Sequence, residues 1–153
     1  MEKRPFDYAR DIECVVAMQQ RSFEINFPGE VFYEPAFRDS LKRLGKDEIV
    51  WVYEDEGRVV GWIWLDLGQG RRRIHVRHLQ VIEERWGQGI GRRILEEAIA
   101  LCRELERAEI TLNVTKSNAR AMALYRSLGF QKVSDWGERQ FMILAVREAI
   151  RKG

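Results

Sequence analysis

Two periods of apolar and polar residues alternate along the chain and divide it into elements. Residues 3–6 read as a short first strand. Ile12, Val15, Val16, Met18 and Phe23 recur at helical spacing, which predicts an amphipathic helix over 11–24 or beginning slightly earlier. Pro28, Gly29 and Pro35 break that pattern, so residues 25–35 are expected to be a loop. A second helix follows from about residue 36 to 44, with Gly45 as its stop. Residues 49–54 and 59–67 then read as strands, and Asp55-Glu56-Gly57-Arg58 as the hairpin turn between them.

Residues 68–73 turn the chain into a third long strand ending near Val81. Ile90, Ile94, Leu95, Ala98, Leu101, Cys102 and Leu105 return to the helical period, predicting a helix to about Arg107. Residues 110–115 form the next strand, and Ser117 or Asn118 caps a helix running to Leu128 with Gly129 as its stop. Residues 130–134 and 140–146 complete a hairpin around Asp135-Trp136-Gly137-Glu138. The order is β-α-α-β-β-β-α-β-α-β-β. It predicts a strand meander feeding a β-α-β unit, hence a mixed sheet with helices on its faces.

One junction is chemically unusual. Glu84-Arg85-Trp86-Gly87-Gln88-Gly89-Ile90-Gly91-Arg92-Arg93 places glycines at every second position between a strand and the first turn of a helix. Glycine admits positive φ and close approach of another group to the main chain. A helix N-terminus presents unpaired N–H groups and about half a positive charge. Together they make an anion cradle, most often for phosphate.

Composition changes this picture little. With 153 residues, 45% hydrophobic and 33% charged, the chain reads as one soluble globular domain over residues 1–153. The net charge of +2 calls for neither nucleic acid nor a membrane as partner. Cys14 and Cys102 fall in helical patterns and read as buried thiols without metal-like spacing, so no metal is expected. The absence of a signal segment or an apolar run near 18 residues predicts a cytoplasmic protein.

Which phosphate the loop would take depends on spacing. A dinucleotide fingerprint needs a sixth-position glycine where Arg92 stands, a Walker loop needs G-K-[ST], and a kinase loop needs its downstream lysine and catalytic motifs. None is present. A second constellation, Asn118 and Tyr125, sits seven residues apart, about two helical turns, so both share a face.

The chain here resembles the GCN5-related N-acetyltransferases (GNAT). The resemblance rests on Gly87-Gln88-Gly89-Ile90-Gly91 after a strand, then Asn118, Ala121, Leu124-Tyr125 and Leu128-Gly129-Phe130. It is specific over about residues 75–130 and extends further by element order. It implies an α/β (α+β) fold with a mixed, mostly antiparallel sheet of about six or seven strands and about four helices, splayed at its two central strands. It further implies acetyl-CoA as co-substrate and direct acyl transfer to a primary amine.

Carried over by residue, the resemblance sets Trp86, Gly87, Gln88, Gly89, Ile90, Gly91, Arg92 and Arg93 around the pyrophosphate. Leu79, Gln80 and Val81 would bind the pantetheine and acetyl group mainly through backbone. The Val81 amide would donate to the thioester carbonyl, where negative charge develops. Asn118 and Ala121 would lie along the coenzyme arm, and Tyr125 would protonate the departing thiolate.

Two positions depart from the family pattern. Trp86 stands where Gln or Arg is usual, and Arg73 stands where some members carry a glutamate base. The titratable alternatives on the strand are His78 and His75, with water as a third route for the proton.

The acceptor side is less defined. Phe23, Phe27, Phe32, Tyr33 and Phe37 with Glu24, Glu30 and Glu34 line the loop between the first two helices. Phe27, Tyr33 and Asn113 are the expected acceptor contacts, either as a pocket for a cationic amine or, for the aromatics, as packing for the loop. Trp51, Trp62 and Trp64 read as one strand face, chiefly core. Arg71-Arg72-Arg73 reads as a solvated face or as a dock for an acidic group. The expected partner is a small-molecule or peptide amine, and the resemblance allows a homodimer. The competing function is a coenzyme-binding sensor or assembly module of the same fold that does not turn over.

Overall fold

The computed structural model describes residues 1–146; residues 147–153 of the expected domain lie outside that description. Its elements are β1 Glu2–Pro5, α1 Tyr8–Asn26, α2 Glu34–Lys42, β2 Glu48–Asp55, β3 Arg58–Asp66, β4 Arg73–Val81, α3 Ile90–Glu104, β5 Glu109–Thr115, α4 Ala119–Ser127, β6 Gln131–Trp136 and β7 Arg139–Ala145. They form a seven-stranded sheet in the order β1-β2-β3-β4-β5-β7-β6. β4 and β5 run parallel, while β1–β2, β5–β7 and β6–β7 are antiparallel. The mixed sheet and four helices agree with the expected architecture. By contacts the chain divides into two compact units, Met1–Trp64 with His78–Gly91, and Leu65–Arg77 with the chain from Arg92 onward.

In the first unit, α1 starts three residues before Asp11 because Asp11 is not a surface residue. It is fully buried, takes two 2.7 Å hydrogen bonds from Arg4, and accepts from the Asp7 amide at 2.8 Å. Ile12, Val15, Val16 and Met18 bury one face of α1 against Phe37 and Leu41 of α2 and Val50, Val52, Trp62 and Trp64 of the sheet. Cys14 points away from that face and is exposed, contrary to expectation; Cys102 is buried as expected. Pro35, read as a loop residue, lies in the first turn of α2, where its missing N–H costs nothing. Trp51 corrects a second reading. It neighbours Val50 and Val52 in sequence, so strand alternation turns it to the opposite face, where Lys3 sits 3.8 Å above its ring. The β2–β3 turn is the predicted one: Glu56 and Gly57 both take positive φ, as a tight hairpin requires.

In the second unit, β5 pairs along its whole length with β7 but with β4 only over Arg73–Val76 against Glu109–Leu112. α3 ends at Glu104 rather than Arg107, and Glu106 takes positive φ just beyond it. Arg107 then ties down the segment before β4, donating to the carbonyls of Leu67, Gly70 and Arg73 at 2.9–3.0 Å. The closing turn is tighter than predicted: β6 runs to Trp136, which pairs directly with Arg139. A bulge between Lys132 and Ser134 interrupts β6. Among the described residues no helix is long and apolar enough to cross a membrane.

Candidate active site

Beyond Val81 the strand gives way to a single 3-10 turn over Glu83–Arg85, which the sequence pattern did not reveal. All three of its side chains are held by ion pairs. Glu83 pairs with Arg21, Glu84 with Arg58 at 2.8 Å, and Arg85 with Asp55 at 2.7 Å. Hydrogen bonds from Arg58 and Arg85 hold the Glu84 and Asp55 carboxyls below their usual range. The indole N–H of Trp86 donates to the Val81 carbonyl at 2.8 Å. The residue that departs from the family pattern therefore clamps the loop back onto the end of β4.

The loop beyond that clamp is open. Gly87 and Gly89 both have φ of +80°, and a side-chain carbon added at either would meet no atom within 4 Å. These glycines are required by backbone conformation, and the space before them is clear. Gln88 is exposed, while Ile90 is buried at the start of α3. No acid stands in the first turn of α3, whereas α1 and α2 carry Asp11 and Glu34 there. Arg92 and Arg93 occupy that turn instead, each paired one turn on, with Glu96 at 3.6 Å and Glu97 at 3.2 Å, so that acids meet the helix only beyond its first turn. Arg92 also donates to the Ser127 hydroxyl of α4 at 2.7 Å.

Asn118, not Ser117, is the N-cap of α4, accepting from the Ala121 amide at 3.1 Å. Two turns on, Tyr125 is buried against Phe130, ring centroids 5.8 Å apart. Burial pushes its phenol up to about 12.

The two strand histidines occupy different surroundings. His78 stacks on Trp62 (5.6 Å, 18°), lies 5.6 Å from Trp64 and meets the edge of Phe37 at 5.8 Å. His75 bonds Thr111 Oγ1 through Nδ1 at 2.7 Å and stacks on Phe141. Burial lowers its pKa, an effect reinforced by Arg73, Arg77 and Arg139 and opposed by Asp66. Arg73, at the departed glutamate position, is paired with Glu109 at 2.7 Å.

Of the residues read as coenzyme contacts through backbone, Leu79, Gln80 and Val81 are all half-buried. The Gln80 side chain is already engaged, accepting from Trp62 Nε1 at 2.8 Å and donating to Gln19. Phe27 packs on Phe23 at 5.0 Å, and Phe23, Phe32 and Phe37 carry that chain of rings on toward Trp62 and Trp64. Tyr33 occupies the position before α2 without a side-chain capping bond and is 69% exposed. Asn113 lines an open depression of about 590 Å³ with Val133, Ser134, Trp136, Arg139 and Phe141. That depression was not legible in the sequence, since it depends on the β5–β7–β6 register.

Residues 12–130 match the acetyltransferase (GNAT) family, and the chain belongs to that family. It is 34% identical over 86 residues to human N-acetyltransferase 8B, a match covering 54% of this chain and 38% of that one. It is 28% identical over 139 residues to the mycothiol acetyltransferase of Saccharomonospora viridis, covering 85% and 45% respectively. The chain thus spans less than half the length of these relatives. The fold is also that of the PaiA N-acetyltransferase from Thermoplasma acidophilum, solved in complex with coenzyme A (TM-score 0.76, 18% identity, 94% of this chain and 98% of that one).

Proposed function

We propose that this chain transfers the acetyl group of acetyl-CoA to a primary amine. The observation that carries this reading is the glycine loop: two glycines at φ +80° with clear space before them, opening a helix whose first turn holds arginines and no acid. A pyrophosphate fits that arrangement, received by backbone N–H groups from Gly87 to Gly91 and by Arg92, the Trp86 N–H being already bonded to the Glu83 carbonyl at 3.0 Å. Leu79, Gln80 and Val81 hold the pantetheine and acetyl group by backbone, and Asn118 and Ala121 contact the coenzyme arm. The Val81 amide polarises the thioester carbonyl, for which the Trp86 clamp on the Val81 carbonyl keeps the strand end in place.

The amine attacks the carbonyl carbon, its N–C bond forms, and the C–S bond breaks with its electron pair leaving on sulfur. Tyr125 gives the thiolate its proton as that bond breaks. The acceptor ammonium first gives one proton to His78, His75 or water, which leaves the free amine to attack, and the second proton shed by nitrogen as the amide forms returns to solvent or to the Tyr125 phenolate. Phe27, Tyr33 and Asn113 contact the acceptor.

A second reading, coenzyme binding without turnover, is favoured by one observation. Arg73 stands where some members of the family carry a glutamate base, and it is paired with Glu109 at 2.7 Å. Release of free thiol from acetyl-CoA across a panel of amines separates the two. The transferase reading expects acceptor-dependent release with at least one amine; coenzyme binding with no release on any amine contradicts it. Substituting His78→Gln and His75→Gln separately identifies the base, because loss of the true base removes the acid limb from the pH–rate profile.

A further inference from the structure

The depression on β5, β7 and β6 has a composition that the donor half of the reaction does not use. On regular strands alternate residues share a face, and the register sets Asn113 and Ser134 opposite Phe141 and sets Trp136 opposite Arg139. The β6 bulge adds Val133 beside Ser134 on the same side, which an unbroken strand would forbid. The result is an arginine framed by apolar surface: Val133 is 56% and Trp136 71% exposed. Trp136 is not loose there, since its indole N–H donates to Ser134 Oγ at 3.1 Å.

Arg139 has no carboxylate partner among the described residues, whereas its basic neighbours do. Arg73 pairs with Glu109, and Lys116 and Lys132 both pair with Asp135. The Arg73 guanidinium lies over the Phe141 ring at 5.7 Å, with its charge met by Glu109. A large, partly apolar hollow with an unpaired guanidinium favours a ligand that brings its own carboxylate and an apolar body. Asn113 is also the first β5 residue past Leu112, where pairing with β4 ends.

We propose that this depression binds the carboxylate of the acceptor, so that the substrate is a small amino acid-like amine rather than a simple amine or polyamine. Arg139 receives the carboxylate, the Asn113 amide donates a further hydrogen bond, and Trp136, Val133 and Phe141 cover the apolar part. This rests on the transferase reading for the fate of the amine, but not for the binding itself.

The test uses phenylalanine and phenylalaninamide, which differ in that carboxylate, titrated into the full chain by NMR and then offered as acceptors with acetyl-CoA. Phenylalanine is expected to bind about ten- to a hundredfold more tightly, the factor that a hydrogen bond to a charged group supplies. Arg139→Gln should remove that difference, and Arg139→Lys should keep part of it. Circular dichroism shows whether each variant is folded. Arg139-dependent binding without acetyl transfer upholds the carboxylate site and counts against the transferase reading. Equal or absent binding of the two amines, or a preference that survives Arg139→Gln, overturns the carboxylate site whether or not acetyl transfer occurs.

Discussion

Trp86 leaves the family pattern and makes a contact of its own. Its indole N–H closes on the Val81 carbonyl, a bond that neither the Gln nor the Arg usual at this position could copy with the same rigid ring. Trp86→Phe keeps most of the packing and removes the donor. It should cost about 1 kcal/mol in urea unfolding and weaken acetyl-CoA binding measured by calorimetry; unchanged stability and affinity would show the clamp to be idle. Gly89 was readable from sequence as a cradle residue, and its φ of +80° adds conformational need to that reading. Gly89→Asp should weaken coenzyme binding by at least about a hundredfold, through strain at positive φ and repulsion of phosphate. Asp11 was not readable. An acid at a helix start looks like ordinary dipole complement, and only the fold shows Arg4 of β1 bonded to it in the interior. Cys14 was misread for a related reason: one small residue in an amphipathic period can lie either side of the boundary.

Elements were legible where period and punctuation agreed, and less so where a tertiary contact decided the end. The β2–β3 hairpin, the glycine loop and the start of α3 all follow from local residues. The start of α1 does not, because burial of Asp11 decides it: desolvation would raise its pKa, and the Arg4 hydrogen bonds, the Asp7 amide and the charges of Arg4 and Arg10 together bring it down. Asp11→Ala leaves Arg4 and the Asp7 amide without their acceptor and should cost about 3 kcal/mol, most of it in pairing between β1 and the start of α1. Denaturant melts with hydrogen exchange at residues 2–11 would check both the size and the place of that loss. The 3-10 turn over Glu83–Arg85 also escaped the sequence, since its form depends on Arg21, Asp55 and Arg58 far away in the chain. The acceptor side was least legible. Phe27 and Phe23 read as packing for the loop or as a pocket, and the structure joins them to a continuous row of rings.

For the whole molecule, the pH dependence of stability follows from His75. Its pKa is lowered in the fold from an ordinary 6.5, chiefly by burial. The unfolded chain therefore takes up that proton first as pH falls, so this contribution is intact above about 6.5 and is lost between 6.5 and the lower folded value. Urea midpoints should fall between pH 7.5 and 5.5, and His75→Phe should flatten that fall; an identical slope in the variant would exclude His75 as its source. The donor half of the proposed function rests on local signals with fixed spacing: a glycine loop, a cap and a tyrosine. The depression proposed for the acceptor was not legible, because a register and a bulge assemble it from β5, β6 and β7.

The most direct test of the central claim is acceptor-dependent thiol release by wild type and Tyr125→Phe, each saturated with acetyl-CoA and a competent amine. The account predicts that kcat falls by about a hundredfold, the usual share of a general acid, while the dissociation constant for acetyl-CoA changes little. Equal kcat in the two proteins, or loss of coenzyme binding in place of turnover, would contradict it.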